Sequence, residues 1–241
     1  MNFSYNKKTL NVVITGASKG MGKAMAIRFA KGGHHLFLCA RGEIALYKTL
    51  EELMNEFPDI IVKAKPFDLS NAAAAKEFAA WCLSHAVPDV LINNAGSFVP
   101  GAVFNEEEGS LEKMIEGNLS SAYHVSRGIL PAMLEKKTGR IINICSTASL
   151  NAYANGGSYS ISKAAMLSFS KNLREEMKPY GIQVTAVMPG ATYTDSWAAS
   201  GIEENRFMPV EDIAEMIYSI TQLSDRTVVE EIIMRPQLGD I

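Results

Sequence analysis

Cysteine is scarce. The three thiols, Cys39, Cys82 and Cys145, are odd in number and sit inside apolar stretches. They show neither the even count of a disulfide framework nor the spacing of a metal site, so buried free thiols are expected. Among the four histidines, His34 and His35 adjoin a strand, His85 follows a helix and His124 falls mid-helix, and no pair has ligand spacing; no metal is expected. No Lys/Arg block exceeds two residues, and 23 basic against 26 acidic side chains leave a net charge of −3, which argues against a nucleic-acid surface. No segment reaches the ~18 consecutive apolar residues of a membrane span. Lys7 and Lys8 before Leu10, Val12, Val13 and Ile14 imitate a signal peptide only until Thr15 and Gly16 interrupt the run. The chain is therefore expected to be soluble and cytoplasmic, with no membrane partner. It also lacks repeats and Ser/Pro-rich linkers, and its only low-complexity patch, residues 72–75, is alanine and suits a helix.

What is present is a core and a rhythm. At roughly 150 residues per domain, 241 residues permit one large or two small domains, and with no linker we read one, spanning 1–241. Hydrophobic residues at 47% and charged ones at 20% are ample for a core. Short β-branched runs at 10–15, 36–40, 60–64, 90–93, 140–145, 183–187 and 228–234 read as strands. Helical stretches at 23–31, 44–57, 72–84, 110–134, 159–178 and 210–223 alternate with them. Runs such as Val12-Val13-Ile14 and Ile141-Ile142-Asn143-Ile144 are nearly continuous in hydrophobicity, as when helices cover both sheet faces. The pattern predicts an α/β fold: a Rossmann-type, doubly wound parallel sheet of about seven strands with helices on both faces. Ligands of such sheets bind beyond the carboxyl ends of the strands.

Chemistry-bearing motifs stand at those ends. After the first strand comes Thr15-Gly16-Ala17-Ser18-Lys19-Gly20-Met21-Gly22, opening a helix. Glycines let the main chain approach a pyrophosphate, whose charge is met by N–H groups at the helix start; a merely structural tight turn is the plainer alternative. No acidic residue stands about 20 positions past the glycines to accept from ribose hydroxyls. The second strand instead ends in Cys39-Ala40-Arg41, so Arg41 and the loop's Lys19 could flank the extra phosphate of NADP. Glu43, two residues on, keeps NAD as the alternative.

Tyr159 and Lys163 are four apart in a helical segment and share a face. A free tyrosine titrates near pH 10, and a neighbouring ammonium favours the phenolate; the spacing therefore predicts an acidified phenol. Thirteen residues before Tyr159, Ser146 ends the fifth strand, where its hydroxyl can donate to a carbonyl oxygen. Continued alternation would turn Cys145 and Thr147 away from Ser146 and leave Ser149 farther out. Asn118 beside Gly117 reads, on residues alone, as a polar group in a kinked helix.

The spacing Gly-x-x-x-Gly-x-Gly, followed in order by Asp68, Asn93-Asn94-Ala95-Gly96, Asn118, Ser146, Tyr159-Ser160-Ile161-Ser162-Lys163, Pro189-Gly190 and Thr194, resembles the short-chain dehydrogenase/reductase family over nearly the whole chain. The resemblance implies a dinucleotide-binding half at about 1–96 and a catalytic, substrate-binding half at about 97–241. It implies cofactor contacts from Gly16, Ser18, Lys19, Gly20, Met21, Gly22, Arg41, Asp68, Leu69, Asn94, Ala95 and Gly96. Tyr159, Lys163, Pro189, Gly190, Thr192 and Thr194 complete that set, with Asp68 on the adenine amino group and Thr194 on the carboxamide or pyrophosphate. It also implies a catalytic set of Asn118, Ser146, Tyr159 and Lys163, in which Ser146 orients a carbonyl, Tyr159 moves the proton, Lys163 holds the ribose and tunes Tyr159, and Asn118 anchors a water relay.

Tyr193, Phe98, Val99, Leu150, Tyr153, Met188, Trp197 and Phe207 are candidates for an apolar substrate wall beneath a short lid at 195–208. The ending Arg226 to Pro236 lacks the Gly-Gly tail usual in acyl-carrier-protein ketoreductases and is similar to that of bacterial sepiapterin-reductase-like members. Met114, Ile115, Met166, Leu167 and Phe169 exceed what one sheet face needs, and the resemblance places a dimer interface there, with a tetramer as the extension. The activity implied is hydride transfer between NADP(H) and a small carbonyl or secondary alcohol. A 3-oxoacyl-thioester reductase and a non-enzymatic NADP-binding sensor or partner-binding protein are the competing readings.

Overall fold

Alternate residues of a strand face opposite sides, so an unbroken apolar run can be buried only if both sides are covered. The computed structural model, which describes residues 8–194, 197 and 201–241, meets that demand. Seven strands, β1 (Asn11–Thr15), β2 (His35–Ala40), β3 (Val62–Pro66), β4 (Val90–Asn93), β5 (Gly139–Ile144), β6 (Ile182–Pro189) and β7 (Glu231–Met234), form one sheet in the order β3-β2-β1-β4-β5-β6-β7. Every neighbouring pair is parallel. The helices are α1 (Gly20–Lys31), α2 (Glu43–Glu56), α3 (Ala72–Leu83), α4 (Ser110–Ile115), α5 (Ser121–Lys136), α6 (Gly157–Met177) and α7 (Val210–Thr221).

Within β1 the run splits. Val12 and Ile14 join Leu36 and Leu38 against Met25 and Phe29 of α1 and Ile213 and Ile217 of α7. Val13 joins Phe37 and Leu91 against Phe78 of α3 and Val125 and Ile129 of α5. Each such side chain, taken fully out of water, contributes about 1.5–3 kcal/mol, and these two layers bury both faces of the sheet. The order of strands reverses between β1 and β4, which opens a crevice beyond their carboxyl ends. No helix among the described residues is long and apolar enough to cross a membrane.

Several elements depart from the sequence reading for physical reasons. The stretch expected as one helix over 110–134 is interrupted at Glu116–Ser120 by a π-helical turn, whose extra residue rotates Asn118 into the interior. β3 runs two residues later than expected because β2 pairs Leu36 with Val62 and Ala40 with Pro66. β7 starts only at Glu231: the carbonyl of Val229 accepts from the Thr185 hydroxyl (2.7 Å) instead of joining a ladder. Helix α1 begins at Gly20 rather than at residue 23, so the glycine loop supplies its own first helical turn.

Candidate active site

Beyond the carboxyl ends of β4, β5 and β6 lies a cavity of about 370 Å³, bounded by Met21 of α1 and by Tyr159 and Lys163 of α6. Of the residues singled out from sequence, Met21, Asn94, Gly96, Ser146, Tyr159, Lys163, Pro189, Gly190, Thr192 and Thr194 line it.

The glycine loop is shaped by close approach. Gly16 has φ +67°, and a Cβ on Gly22 would stand 2.1 Å from the carbonyl oxygen of Gly16, so neither position tolerates a side chain without displacement. Asn94 holds the loop from β4: its Nδ2 donates to the carbonyls of Thr15 (2.9 Å) and Gly16 (3.1 Å). The Thr15 hydroxyl accepts from the amides of Asn94 and Ala95, both at 2.9 Å. Thr15, which heads the glycine-loop motif in the sequence without a role of its own, is thus a site-building residue. Lys19, exposed, precedes α1 and caps it with no side-chain bond. The carbonyl of Ser18 accepts from the Thr49 hydroxyl (3.1 Å). A Cβ on Gly20 would lie 3.3 Å from Thr194, which brings the post-β6 segment against the loop. Arg41 stands exposed at the end of β2 and forms no ion pair among the described residues. Asp68 is exposed; one of its oxygens accepts from the amide and hydroxyl of Ser70. Leu69 is buried in the core, so only its main chain can face a ligand.

Ser146, Tyr159 and Lys163 converge on the cavity floor. Ser146 leaves the ladder with extended backbone and its hydroxyl accepts from the amide of Ala148 (3.2 Å). Residues Thr147–Ser149 then form a 3-10 turn, so strand alternation stops at Ser146. Ser149 stays out of the cavity lining, as expected, whereas Cys145 and Thr147, expected to turn away, border it; Ser149 Oγ accepts from the amide of Ser146 (3.3 Å) and donates to the carbonyl of Lys163 (2.8 Å), tying the strand end to α6. Lys163 is buried, and its Nζ donates to the carbonyl of Ile144 (2.8 Å). Asn118 lies beneath the floor rather than on it. Its Nδ2 donates to Ser162 Oγ (2.9 Å), which in turn donates to the carbonyl of Tyr159 (2.7 Å). Its Oδ1 accepts from the amide of Ser97 (2.8 Å). Gly96 fits between Asn118 Oδ1 and Lys163 Nζ, 2.6 and 3.6 Å from where its Cβ would be.

The electrostatics differ from the expectation of an acidified phenol. Lys163 Nζ is 5.9 Å from the centre of the Tyr159 ring, and burial pushes the phenol above its ordinary value, while the Ser146 hydroxyl pulls it back and the Cys145 thiol adds to the rise. Burial also pulls the Lys163 ammonium below the ordinary lysine value, against a rise from Cys145. Desolvation outweighs charge at this distance. Cys145 itself is buried, and burial pushes its thiol up to about 11, so it is a poor nucleophile at neutral pH.

The apolar wall is narrower than expected. Phe98, Tyr153 and Trp197 line the cavity. Met188 does not: it is fully buried with Cys145, Met166 and Leu167 in a separate core cluster. Val99 and Leu150 are exposed and lie outside the lining. Phe207 packs between Tyr193 and Trp197, with ring centroids 5.7 and 5.2 Å away. Asp195, Ser196 and residues 198–200 of the expected lid lie outside the described residues. Asp240 and Ile241, unforeseen from sequence, also border the cavity. Met114, Met166 and Leu167 are buried within the fold, leaving Leu111, Tyr123 and Ile161 as the large exposed apolar groups of α4, α5 and α6. Among the described residues no three His, Cys, Asp or Glu side chains come together as a metal site.

Comparison with known proteins places this geometry. A Streptomyces coelicolor protein provisionally named a ketoacyl reductase is 32% identical over 229 residues, covering 85% of this chain and 87% of its own. An alcohol dehydrogenase from the archaeon Thermococcus sibiricus, solved with 5-hydroxy-NADP, superposes with a TM-score of 0.89 at 27% identity and covers 97% and 99% of the two chains. A short-chain dehydrogenase from Sphingobium yanoikuyae in complex with NADPH gives 0.83 at 31% identity, over 93% and 87%. The family described as short chain dehydrogenase matches residues 10–205. Fold, site geometry and family match agree, and the chain belongs to the short-chain dehydrogenase family of oxidoreductases.

Proposed function

We propose that the protein is an NADP(H)-dependent reductase of a carbonyl compound, and dehydrogenase of the corresponding secondary alcohol, with 1–96 as its cofactor half and 97–241 as its catalytic half. The observation that carries this reading is the convergence of the Ser146 hydroxyl, the Tyr159 phenol and the buried Lys163 ammonium on one floor of a cavity that reaches the start of α1. The residues present fit the dinucleotide. Gly16 and Gly22 leave a cradle that a Cβ would fill, and the first amides of α1 carry no side-chain cap. Arg41 and Lys19, both exposed, are the cations assigned to the ribose phosphate, and one carboxylate oxygen of Asp68 is assigned to the adenine amino group. Ser18, Gly20, Met21, Leu69, Asn94, Ala95, Gly96, Pro189, Gly190, Thr192 and Thr194 complete the contacts. The 5-hydroxy-NADP and the NADPH held by the two solved relatives support this choice over NAD.

When bound, the coenzyme supplies or accepts the hydride at the substrate carbon. Ser146 donates to the carbonyl oxygen and fixes its orientation. Tyr159 delivers the proton to that oxygen, and its raised pKa keeps the phenol protonated at neutral pH, the form that reduction needs. Lys163 places a positive charge beneath the phenolate that donation leaves behind, and Asn118 anchors the relay through which the proton is replaced. An acyl thioester is the second reading for the substrate, favoured by the Streptomyces relative. NADPH oxidation followed at 340 nm against a panel of diketones, quinones, pterins and acyl thioesters tests the proposal. Turnover should appear in the parent and vanish in Tyr159→Phe; activity surviving that change refutes the assigned proton donor. We further propose a homodimer or homotetramer built on α5 and α6 through Tyr123 and Ile161. Sedimentation at micromolar concentration that returned only monomer would remove that part.

A further inference from the structure

Tyr159 is the third residue of α6, and this helix starts on two glycines, Gly156 and Gly157, which have no side chain to cap it. The missing acceptor arrives from 52 residues away in sequence. Glu106, in the segment between β4 and α4, accepts from the Ser158 hydroxyl through Oε1 (2.6 Å) and from the Ser158 amide through Oε2 (3.3 Å). Two more contacts dock the same segment on the same helical turn. The amide of Gly101 donates to the carbonyl of Asn155 (3.0 Å). The carbonyl of Gly101 would lie 2.4 Å from a Cβ on Gly157, whose φ of +30° also favours glycine. Just before these anchors Phe98 meets the Tyr159 ring edge to face, with centroids 4.8 Å apart at 75°. The segment's root is pinned separately, Ser97 to Asn118.

We infer that Glu106 is a positioning residue for Tyr159: its carboxylate serves as the N-terminal cap that α6 lacks and so holds the phenol, and the Phe98 ring against it, in register with Ser146. This rests on the role given to Tyr159 above. The reason is geometric, since a reacting group displaced by about 1 Å can lose a hundredfold in rate, while the glycine loop that would hold the coenzyme is anchored on Asn94 and Thr15 and touches none of these contacts.

The full-length chain, with the best diketone of the panel, tests it. Glu106→Ala should lower kcat roughly 10- to 100-fold with KM for NADPH within about twofold, and the solvent deuterium isotope effect on kcat should rise as proton transfer becomes limiting. Glu106→Gln, which keeps an acceptor but not the charge, should fall between. Ser158→Ala combined with Glu106→Ala should be no worse than Glu106→Ala alone. Asp89→Asn, remote from the site, serves as the destabilised control and should leave the isotope effect at the parent's value. A kcat within twofold of the parent, a matching loss in KM for NADPH, or an isotope effect moving equally in the control overturns the inference. If the parent turns over nothing in the panel, the functional reading fails by itself. Hydrogen exchange then decides this one: amides of 158–163 in Glu106→Ala should exchange at least tenfold faster, and unchanged exchange overturns it.

Discussion

The starts of α1 and α6 both face the crevice and both lack a side-chain cap from their own N-cap residue. They are finished differently. At α1 the first turn is built from glycine-rich loop, with the exposed Lys19 before it, and its amides are left for an incoming anion. At α6 the first turn is closed from within the protein by the Glu106 carboxylate. An open helix start suits a charged ligand that must come and go, whereas a filled one suits a side chain that must stay in place through each turnover. On the proposed function, the α1 end and the α6 end of the crevice should therefore fail separately.

The largest separation should come from Tyr159→Phe, which removes one hydroxyl. Turnover should drop by about 10²- to 10⁴-fold or more, with NADPH affinity, read by fluorescence titration, unchanged. The converse is expected of Arg41→Ala: NADPH binding weakened about tenfold, or ~1.4 kcal/mol, NADH binding untouched, and kcat at saturating coenzyme preserved. An equal loss for both coenzymes would show that Arg41 does not read the phosphate. The smallest effect on binding and turnover lies at neither end. Asp89 sits at the amino end of the central strand β4, away from the crevice; burial pushes its carboxyl up, but the Asn11 amide (2.9 Å) and the Lys136 (2.6 Å) and Lys8 (3.2 Å) ammonium groups outweigh burial and hold it below the ordinary value. Asp89→Asn should cost about 1–3 kcal/mol at neutral pH without altering either crevice end. Because the folded-state carboxyl titrates below its usual ~3.9, the parent's advantage is full above that pH and shrinks as pH falls through the folded value. Denaturation curves of both proteins between neutral pH and pH 3 check the sign, and a gap that widened on acidification would contradict it.

Much of this was legible along the chain. Val90–Asn93 was found at its exact bounds, and the strands at β1, β2, β5 and β6 came within one or two residues, since buried parallel strands carry continuous β-branched runs that few other structures need. The residues whose bracing roles the sequence does not reveal share another property. Glu106, Ser149 and Thr15 act through partners 52, 14 and 77 to 80 residues away, and the neighbours of each in sequence do not mark that role. The π-helical turn at Glu116–Ser120 shows in the sequence only as a kink beside Gly117.

By itself the sequence determined the alternation of strand and helix, the strand order's topological class, and the placing of glycines, Ser146, Tyr159 and Lys163 at strand ends and on one helical face. These follow from local periodicity and steric rules that act within a few residues. Tertiary structure alone decided the surroundings of these groups: that burial pushes the Tyr159 phenol up rather than down, that Lys163 Nζ donates to the carbonyl of Ile144, and that α6 is capped from another segment. Desolvation and long-range contact depend on what the whole fold brings close, and no local pattern encodes either.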